Sequence, residues 1–282
     1  MTTPTSAALR VNGATRVFGI VGDPIVQARS PEVYCERFAA AGLNAVMVPL
    51  QVSAQDFDAV MPALMRIGNL DGLLITAPHK ARMTALADRL GATAACIGAV
   101  NALRREADGS WSADMFDGEG FAQGVLTKGE RLQGRHVLLF GAGGAGSAIA
   151  CALAGHGAAS IRIVNPDAER TATLVAALGA AFPACDVAAA TDRRTGFDMV
   201  VNASTVGMKP GDGLPGDIGV LTPDMLVGDV VVCAEPTAII GQAQAAGCRW
   251  FNGHDMHSGQ IAALMHFLAP AQGRDGRRVP GF

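Results

Sequence analysis

Aromatic and charged residues are both scarce in this sequence. Only 5% of its 282 residues are aromatic, including a single tyrosine, and only 17% are charged. The formal net charge is −3, so the chain has no excess of positive charge to attract nucleic acid or an anionic membrane surface. We therefore expect neither nucleic acid nor a membrane among its partners.

Long apolar runs and paired cysteines are also missing. Gly, Asp or Pro interrupts each apolar run well before the ~20 residues that a membrane-spanning helix requires. The N-terminal MTTPTSAALRVNG has no basic start followed by an apolar stretch, so we expect no secretory signal. The six cysteines are scattered without a C-x-x-C pair, which indicates reduced side chains. These features together favour a cytoplasmic protein.

Predicted strands and helices alternate along the whole chain, which is typical of an α/β fold. The first series has the strands VFGIVGDP, NAVMVPLQV and LDGLLIT. Helical patterns lie between these strands and after them. The first predicted helix has Ser30 as its N-cap and Pro31 at the next position, and the last predicted helix is HKARMTALADRLG. A length of 282 residues suits two domains.

A second series of strands and helices begins near Gly134 and ends in an apolar helix from Met256 to about Leu268. The boundary between the two series falls between Asp117 and Gly134. The polar tail GRDGRRVPGF is expected to be irregular.

A glycine-rich turn opens the second series. Between the strand HVLLF and a helical pattern lie the motif residues Gly141, Gly143, Gly144, Ala145 and Gly146. In the G-x-G-x-x-G pattern, the first glycine makes the turn, the second admits a pyrophosphate, and the third lets helix and strand pack closely. The next strand ends at Asn165 and Asp167. A carboxylate there accepts hydrogen bonds from an adenosine ribose and repels a 2′-phosphate, so Asp167 favours NAD over NADP. Asp167 could equally cap the following helix.

Seven motifs in a fixed order resemble the shikimate dehydrogenase family. They are GDPI with a Ser-Pro helix start, ITAPHK, GAVNAL, DMFDGEGF, GAGGAG, VNASTVGM and GHDMHSGQ. The family patterns include Asn-Val-Thr-x-Pro-x-Lys, Gly-Ala-Val-Asn-Thr-Leu and Asn-Ala-Thr-Ser-x-Gly-Met. Any one motif is weak, but chance agreement of all seven in order is very improbable. The resemblance covers the chain from about Arg16 to Leu268.

The resemblance implies a fold, a reaction and a set of site residues. The expected fold is a three-layer α/β/α substrate domain of residues 1–117 and 251–282, a Rossmann dinucleotide-binding domain of residues 118–250, and a C-terminal helix that returns to the first domain. The expected reaction moves a hydride between a cyclic secondary alcohol and a nicotinamide. The resemblance assigns catalysis to Lys80 and Asp117; it assigns substrate binding to Ser30, Thr76, Asn101 and Gln260, and further cofactor contacts to Ala203, Ser204, Met208 and Gly253.

Lys80 and Asp117 also suit this chemistry on physical grounds. Oxidation of an alcohol requires that a base take the hydroxyl proton as the hydride leaves. A partly buried lysine, or a lysine and an aspartate that share a proton, can do this near neutral pH. The sequence does not decide which of the two takes it. Without the motif order, an ordinary surface ion pair would be the better interpretation.

The substrate motifs depart from the family pattern. The family holds a carboxylate with Ser-x-Ser-Pro, whereas this chain has Ala28, Arg29, Ser30 and Pro31. Leu74 replaces an Asn and Val232 replaces a Tyr, and Met115-Phe116 stands where the family has Asn-Thr. Because a buried carboxylate or hydroxyl without a partner costs ~1–3 kcal/mol or more, we expect shikimate and quinate to be poor substrates.

Two alternatives remain open at this stage. Arg29 or Gln27 could hold the carboxylate in place of the serines, which would make the protein an authentic shikimate or quinate dehydrogenase. The chain could instead be a non-catalytic dinucleotide-binding regulator, although such a protein has no physical reason to keep Lys80, Asp117, Asn101 and Gln260. The spacing of His79, His254 and His257 matches no zinc motif, so no metal is expected. We expect a monomer or a homodimer.

Overall fold

Two sheets organise the residues that the computed structural model describes, which are 11–190, 195–209, 211–233 and 235–268. Unit 1 takes its described residues from Met1–Leu90, Val100–Asp114 and Met265–Phe282. Unit 2 takes them from Gly91–Ala99 and Met115–Leu264. Unit 2 therefore includes residues 91–99, 115–117 and 251–264, which were predicted to belong to the first domain. The assignment of substrate and cofactor binding to separate domains stays a prediction. The tail GRDGRRVPGF lies outside the described residues.

Unit 1 contains a six-stranded mixed sheet in the order β2-β1-β3-β5-β6-β4. Strand β1 pairs in parallel with β2 and β3, whereas β5 is antiparallel to both β3 and β6. The elements up to residue 114, including α3 of unit 2, are β1 (Arg16–Gly22), α1 (Ser30–Ala40), β2 (Ala45–Gln51), α2 (Phe57–Leu64), β3 (Leu70–Ile75), β4 (Arg89–Leu90), α3 (Ala92–Ile97), β5 (Ala102–Arg105) and β6 (Trp111–Asp114).

Unit 2 contains a six-stranded, wholly parallel sheet in the order β12-β11-β10-β7-β8-β9. Its remaining elements are α4 (Asp117–Thr127), β7 (His136–Phe140), α5 (Gly144–Gly155), β8 (Ser160–Val164), α6 (Ala168–Ala181), β9 (Asp186–Ala189), β10 (Met199–Asn202), β11 (Leu226–Asp229), α7 (Ala238–Ala245), β12 (Arg249–Phe251) and α8 (Gly253–Leu268). Strand β7 lies in the middle of this sheet, with β8 and β9 on one side and β10, β11 and β12 on the other. The order of the strands therefore changes direction at β7, and Rossmann folds bind dinucleotides at such a switch point.

Alternate residues of β7 enter two different apolar cores. Val137 and Leu139 pack into a cluster with α4, α5 and α6, whereas Leu138 and Phe140 pack into a cluster with α7. Both faces of the sheet are therefore covered, as parallel sheets require. The predicted α/β fold with a Rossmann unit is confirmed.

The end of α8 belongs to unit 1. Its Phe267 carbonyl accepts a hydrogen bond from the Arg104 guanidinium of β5 at 3.1 Å. A Cβ atom on Gly72 of β3 would lie only 2.9 Å from the Leu268 side chain. Close packing against a glycine thus holds the final helix to the first sheet, as the predicted return of this helix requires.

The helix predicted at HKARMTALADRLG is wrong. The segment forms a short 3₁₀ turn at Arg82–Leu86 and then the strand β4. The Asp88 N–H donates to the Trp111 carbonyl at 2.9 Å, and the Asp88 carboxylate accepts from the Trp111 N–H at 2.7 Å. Pairing with β6 therefore overrides a local helical pattern, because tertiary contacts outweigh propensity.

The prediction that Ser30 caps α1 is also wrong. The Arg29 carbonyl accepts the first hydrogen bond of the helix, from the Val33 N–H at 3.2 Å, which makes Arg29 the N-cap. Ser30 is instead the first helical residue and is buried. Pro31 is in the first turn, but one position further from the N-cap than predicted. Ser30 is therefore available for a role other than capping.

Among the described residues, no helix is both long enough and apolar enough to cross a bilayer. The same residues contain no group of three or more His, Cys, Asp and Glu side chains arranged to hold a metal ion.

Candidate active site

The glycine turn after β7 has the geometry that a pyrophosphate needs. Gly141 has a φ of +101°, and a Cβ atom there would lie 2.7 Å from the Ala203 carbonyl oxygen. A Cβ atom on Gly146 would lie 2.2 Å from the Gly141 carbonyl oxygen, so only glycine lets α5 start this close to the strand. A Cβ atom on Gly143 would meet no atom within 4 Å, which leaves open space over the turn. A dinucleotide phosphate fits this turn, where the N-terminus of α5 provides N–H donors.

Asn165 connects the glycine turn to the end of β8. Its side-chain oxygen accepts from the Ala142 N–H at 3.2 Å, and its amide nitrogen donates to the Asp167 carbonyl at 2.9 Å. Asp167 itself caps α6, because its carboxylate accepts from the Arg170 N–H at 3.0 Å. The Asp167 side chain is exposed beside the turn, so capping leaves it accessible to a ribose.

The loop after β10 carries three of the predicted cofactor residues. Ala203 is buried and Ser204 is half-buried, whereas Met208 is 65% exposed. The Met208 side chain is therefore not part of the core. Gly253 begins α8, where a Cβ atom would lie 2.5 Å from the Val230 carbonyl oxygen. A glycine is therefore required for α8 to start beside the end of β11.

The predicted substrate residues of unit 1 lie at the carboxyl ends of β1 and β3. Thr76 directly follows β3, and its N–H donates to the Val21 carbonyl at 2.9 Å. The Lys80 carbonyl accepts from the Val100 N–H at 3.0 Å, and the Asn101 carbonyl accepts from the Ile75 N–H at 2.8 Å. These backbone bonds bring Thr76, Lys80 and Asn101 together at one edge of the sheet. The Lys80 side chain is half-buried and Asn101 is buried.

His79, which the sequence shows to fit no zinc motif, is a buried structural residue. Its side chain is fully buried, and its ring lies 4.9 Å from the ring of Phe57. Its Nε2 lies 2.6 Å from the Val52 carbonyl oxygen, which requires the Nε2–H tautomer because a carbonyl only accepts. His79 thus ties the residue before Lys80 to the segment after β2.

We expect His79→Leu to lower the free energy of unfolding by about 1–3 kcal/mol, because the buried Val52 carbonyl loses its donor. Denaturant unfolding followed by circular dichroism measures the change. His266→Leu makes the same substitution at an exposed position of α8, and we expect it to stay within about 0.5 kcal/mol of the parent. Equal effects of the two substitutions would contradict the role assigned to the His79 hydrogen bond.

Asp117 and Gln260 lie on two helices of unit 2 that pack through glycines. A Cβ atom on Gly120 of α4 would lie 2.5 Å from the Gln260 Cβ, and one on Gly259 of α8 would lie 2.3 Å from the Gly120 carbonyl oxygen. Asp117 is the first residue of α4 and is buried, close to the positive end of the helix dipole. The Gln260 Oε1 is buried and has no hydrogen-bond partner among the described residues.

The residues that depart from the family pattern occupy different environments. Met115 is buried in a small cluster with Ala99 and Ala148, so it fills a core rather than an open surface. Leu74 is likewise buried within β3, whereas Val232 is 56% exposed. Phe116 is half-buried, so Val232 is the most exposed of the four replacements.

Arg29 and Gln27, the candidates for an alternative carboxylate clamp, are engaged elsewhere. The Arg29 Nε lies 3.0 Å from the Glu32 carboxylate, and the two side chains are 74% and 67% exposed. The Gln27 amide donates to the Pro24 carbonyl at 2.9 Å. Both side chains therefore have other hydrogen-bond partners in this structure.

Unit 2 has a parallel sheet with a glycine turn at its switch point, and unit 1 is a separate α/β unit that carries a lysine and polar side chains. This combination is typical of dinucleotide-dependent oxidoreductases. The family comparison makes this more specific. The model of the shikimate dehydrogenase substrate binding domain matches residues 20–103, and the model of shikimate / quinate 5-dehydrogenase matches residues 123–208. The chain belongs to the shikimate dehydrogenase family.

Known proteins resemble the chain over most of its length. Shikimate dehydrogenase (NADP(+)) from Rubrobacter xylanophilus is 37% identical over 84% of this chain and 85% of its own. The structure of shikimate 5-dehydrogenase from Listeria monocytogenes in complex with shikimate and NAD has a TM-score of 0.84 at 26% identity, covering 98% and 97% of the two chains. Ligand-free 5-ketofructose reductase of Gluconobacter sp. strain CHM43 has a TM-score of 0.80 at 27% identity, covering 94% and 96%.

Proposed function

We propose that this member of the family transfers a hydride between NAD and a cyclic hydroxy or keto compound related to shikimate or quinate. The buried, unpartnered Gln260 Oε1 is the observation that carries the proposal of an active pocket, with absence of a partner judged among the described residues. An orphaned buried acceptor costs about 1–3 kcal/mol, which a substrate hydroxyl would recover on binding. A protein that only bound dinucleotides would keep this cost without a benefit.

The proposal gives each polar residue a role. Lys80 and Asp117 act as the general acid–base groups for the proton of the reacting hydroxyl, and either one or the pair together can hold this proton. Thr76, Asn101, Ser30 and Gln260 hold the other oxygens of the substrate. The nicotinamide ring supplies the hydride acceptor or donor.

The preference for NAD rests on Asp167. Its exposed carboxylate lies at the end of β8, where a ribose 2′-hydroxyl can donate to it and a 2′-phosphate is repelled. Pro166 precedes it, so the position offers no guanidinium for a phosphate. The Listeria monocytogenes protein, described in complex with NAD, supports an NAD site in this fold, whereas the Rubrobacter xylanophilus relative is named as an NADP(+) enzyme.

The substrate is proposed to differ from shikimate and quinate themselves. Ala28 lacks the hydroxyl that would bind a carboxylate, and the Arg29 side chain is paired with Glu32. The similarity to 5-ketofructose reductase supports a substrate other than shikimate, because that protein has a similar fold and its name gives a different substrate. The first compounds to test are therefore cyclic polyols and keto sugars that lack a carboxylate.

A cytoplasmic location and a small assembly are also proposed. None of the six cysteines forms a disulfide, which suits the reducing cytoplasm. A monomer or a homodimer is proposed for the solution state, and light scattering coupled to size-exclusion chromatography distinguishes the two.

Calorimetric titration with NAD and NADP, followed by turnover assays, tests the proposal. We expect NAD to bind at least tenfold more tightly than NADP, because like charges close together are unfavourable. With NAD, we expect shikimate and quinate to give a kcat/KM at least a hundredfold below that of the best carboxylate-free alcohol. Efficient NADP-linked oxidation of shikimate would overturn both the cofactor and the substrate proposals.

A further inference from the structure

A largely buried hydrogen-bonded cluster lies at the carboxyl ends of β10 and β11, and Ser204 is its one member already named as a predicted cofactor residue. We call Asn202, Ser204, Asp229, Val231 and Thr237 the strand-end cluster. Asn202 and Asp229 are each 1% exposed, and Thr237 is 9% exposed. Buried polar groups of this kind are costly unless their hydrogen bonds are made, so a complete network indicates a specific arrangement.

Asn202 fixes the loop after β10. Its side-chain oxygen accepts from the Ser204 N–H at 3.1 Å and from the Ser204 hydroxyl at 2.7 Å. Its amide nitrogen donates to the Val206 carbonyl at 2.9 Å and to the Asp229 carboxylate at 3.0 Å. One side chain therefore holds the loop that carries the proposed cofactor residues Ala203, Ser204 and Met208, and joins it to the next strand.

Asp229 fixes the loop after β11. The carboxylate oxygen that accepts from Asn202 also accepts from the Val231 N–H at 2.9 Å, and the other oxygen accepts from the Thr237 hydroxyl. Burial raises the pKa of this carboxyl, and the hydrogen bonds from Thr237, Val231 and Asn202 oppose that rise. Thr237 is the residue before α7, so Asp229 secures both ends of the loop.

The two loops also touch directly. A Cβ atom on Gly207, which has a φ of +102°, would lie 3.0 Å from the Thr237 Cγ2. The loop after β10 thus lies close to Thr237 at this point, and the Thr237 hydroxyl donates to Asp229. The strand-end cluster and this contact make the two loops one mechanical unit.

In a Rossmann fold the adenosine half of a dinucleotide lies over the first βαβ unit, and the nicotinamide half lies over the strands beyond the switch point. Here β7, α5 and β8 form the first side, and β10 and β11 form the second. We infer that Asp229 is a positioning residue that sets the loop bordering the nicotinamide half of the cofactor. This inference rests on the proposed dinucleotide function.

Asp229→Ala tests the inference through two ligands, NAD and ADP-ribose, which lacks the nicotinamide. We expect the Kd for NAD to rise roughly tenfold or more, because three hydrogen bonds that hold the loop are lost together. We expect the Kd for ADP-ribose to change less than about twofold, because the glycine turn and β8 are untouched. Calorimetry measures both.

Asp229→Asn and Thr237→Val are the matched variants. Asn keeps an oxygen for Asn202 and Val231 and can donate to the Thr237 hydroxyl, so we expect NAD affinity within about threefold of the parent. Thr237→Val removes one hydrogen bond at nearly constant volume, and we expect a rise in the NAD Kd of roughly threefold to tenfold with ADP-ribose unchanged. The fluorescence anisotropy of bound NADH should fall with Asp229→Ala and not with Asp229→Asn.

These measurements distinguish failure of the positioning role of Asp229 from failure of the proposed dinucleotide function. If Asp229→Ala does not fold, Thr237→Val decides the question by the same pair of ligands. Equal losses of NAD and ADP-ribose affinity, or no loss of either, would overturn the positioning role while leaving the cofactor proposal standing. A parent protein that binds neither ligand would overturn the proposed function, and the inference with it.

Discussion

Replacing Lys80 with Met should lower kcat about a thousandfold while leaving the Kd for NAD within about twofold. General acid–base groups contribute factors of about 10²–10⁴, and a thioether cannot take or give a proton. The backbone bond from Val100 to the Lys80 carbonyl does not depend on the side chain, so the local fold should survive. Steady-state rates with the best substrate of the turnover panel, together with calorimetry of NAD, measure both quantities.

Lys128→Met is the matched control for this prediction. It removes a lysine whose Nζ lies 2.6 Å from the Asp255 carboxylate on α8, a partly exposed ion pair that contributes little to stability. We expect its kcat to stay within about twofold of the parent. A Lys80→Met protein with normal kcat and a raised KM would show that Lys80 binds the substrate without handling its proton.

The glycine turn could be predicted from sequence because its requirements are local. The backbone at Gly141 has a positive φ, and position 146 has no room for a Cβ atom. Glycine is the residue type that meets both requirements, so the sequence itself indicates the turn. The parallel Rossmann sheet follows from the alternation of apolar strands and helical patterns. The cap at Asp167 was predictable for the same reason, since an N-cap depends on residues three positions apart.

The segment after Lys80 was mispredicted because its structure depends on distant residues. HKARMTALADRLG has a helical pattern, yet Asp88 pairs with Trp111, 23 positions away. His79 poses a similar problem: only the fold reveals that its ring lies against Phe57 and its Nε2 against the Val52 carbonyl. A histidine between Pro and Lys looks the same in sequence whether it is buried or exposed.

The sequence contains an indication of the strand-end cluster that was not among the predictions above. VGDVVVC places Asp229 inside an apolar strand, and a carboxylate at such a position needs hydrogen-bond donors. Asn202 ends the preceding strand in the same way. Two polar residues at the carboxyl ends of neighbouring parallel strands predict a contact, although the part played by Thr237 required the structure.

Asp167→Asn should raise the affinity for NADP at least tenfold and change that for NAD by less than about threefold. The substitution removes the negative charge that opposes a 2′-phosphate, and like charges in contact are unfavourable by more than a kcal/mol. Asn is as good an N-cap as Asp, so the hydrogen bond from the Arg170 N–H to this side chain should persist. Titrations with both dinucleotides at low and physiological salt measure the ratio, and salt should weaken the effect of the exposed carboxylate.

Asp167→Ala separates charge from capping in this prediction. It removes the carboxylate and also the cap of α6, which costs about 1 kcal/mol of stability. We therefore expect the same gain in NADP affinity as with Asn, accompanied by a lower unfolding midpoint. Adding Pro166→Arg to Asp167→Asn supplies a guanidinium for the phosphate and should make NADP the preferred cofactor. If the ratio of the two Kd values stays the same in all three variants, the cofactor preference lies elsewhere in the chain and Asp167 is only the cap of α6.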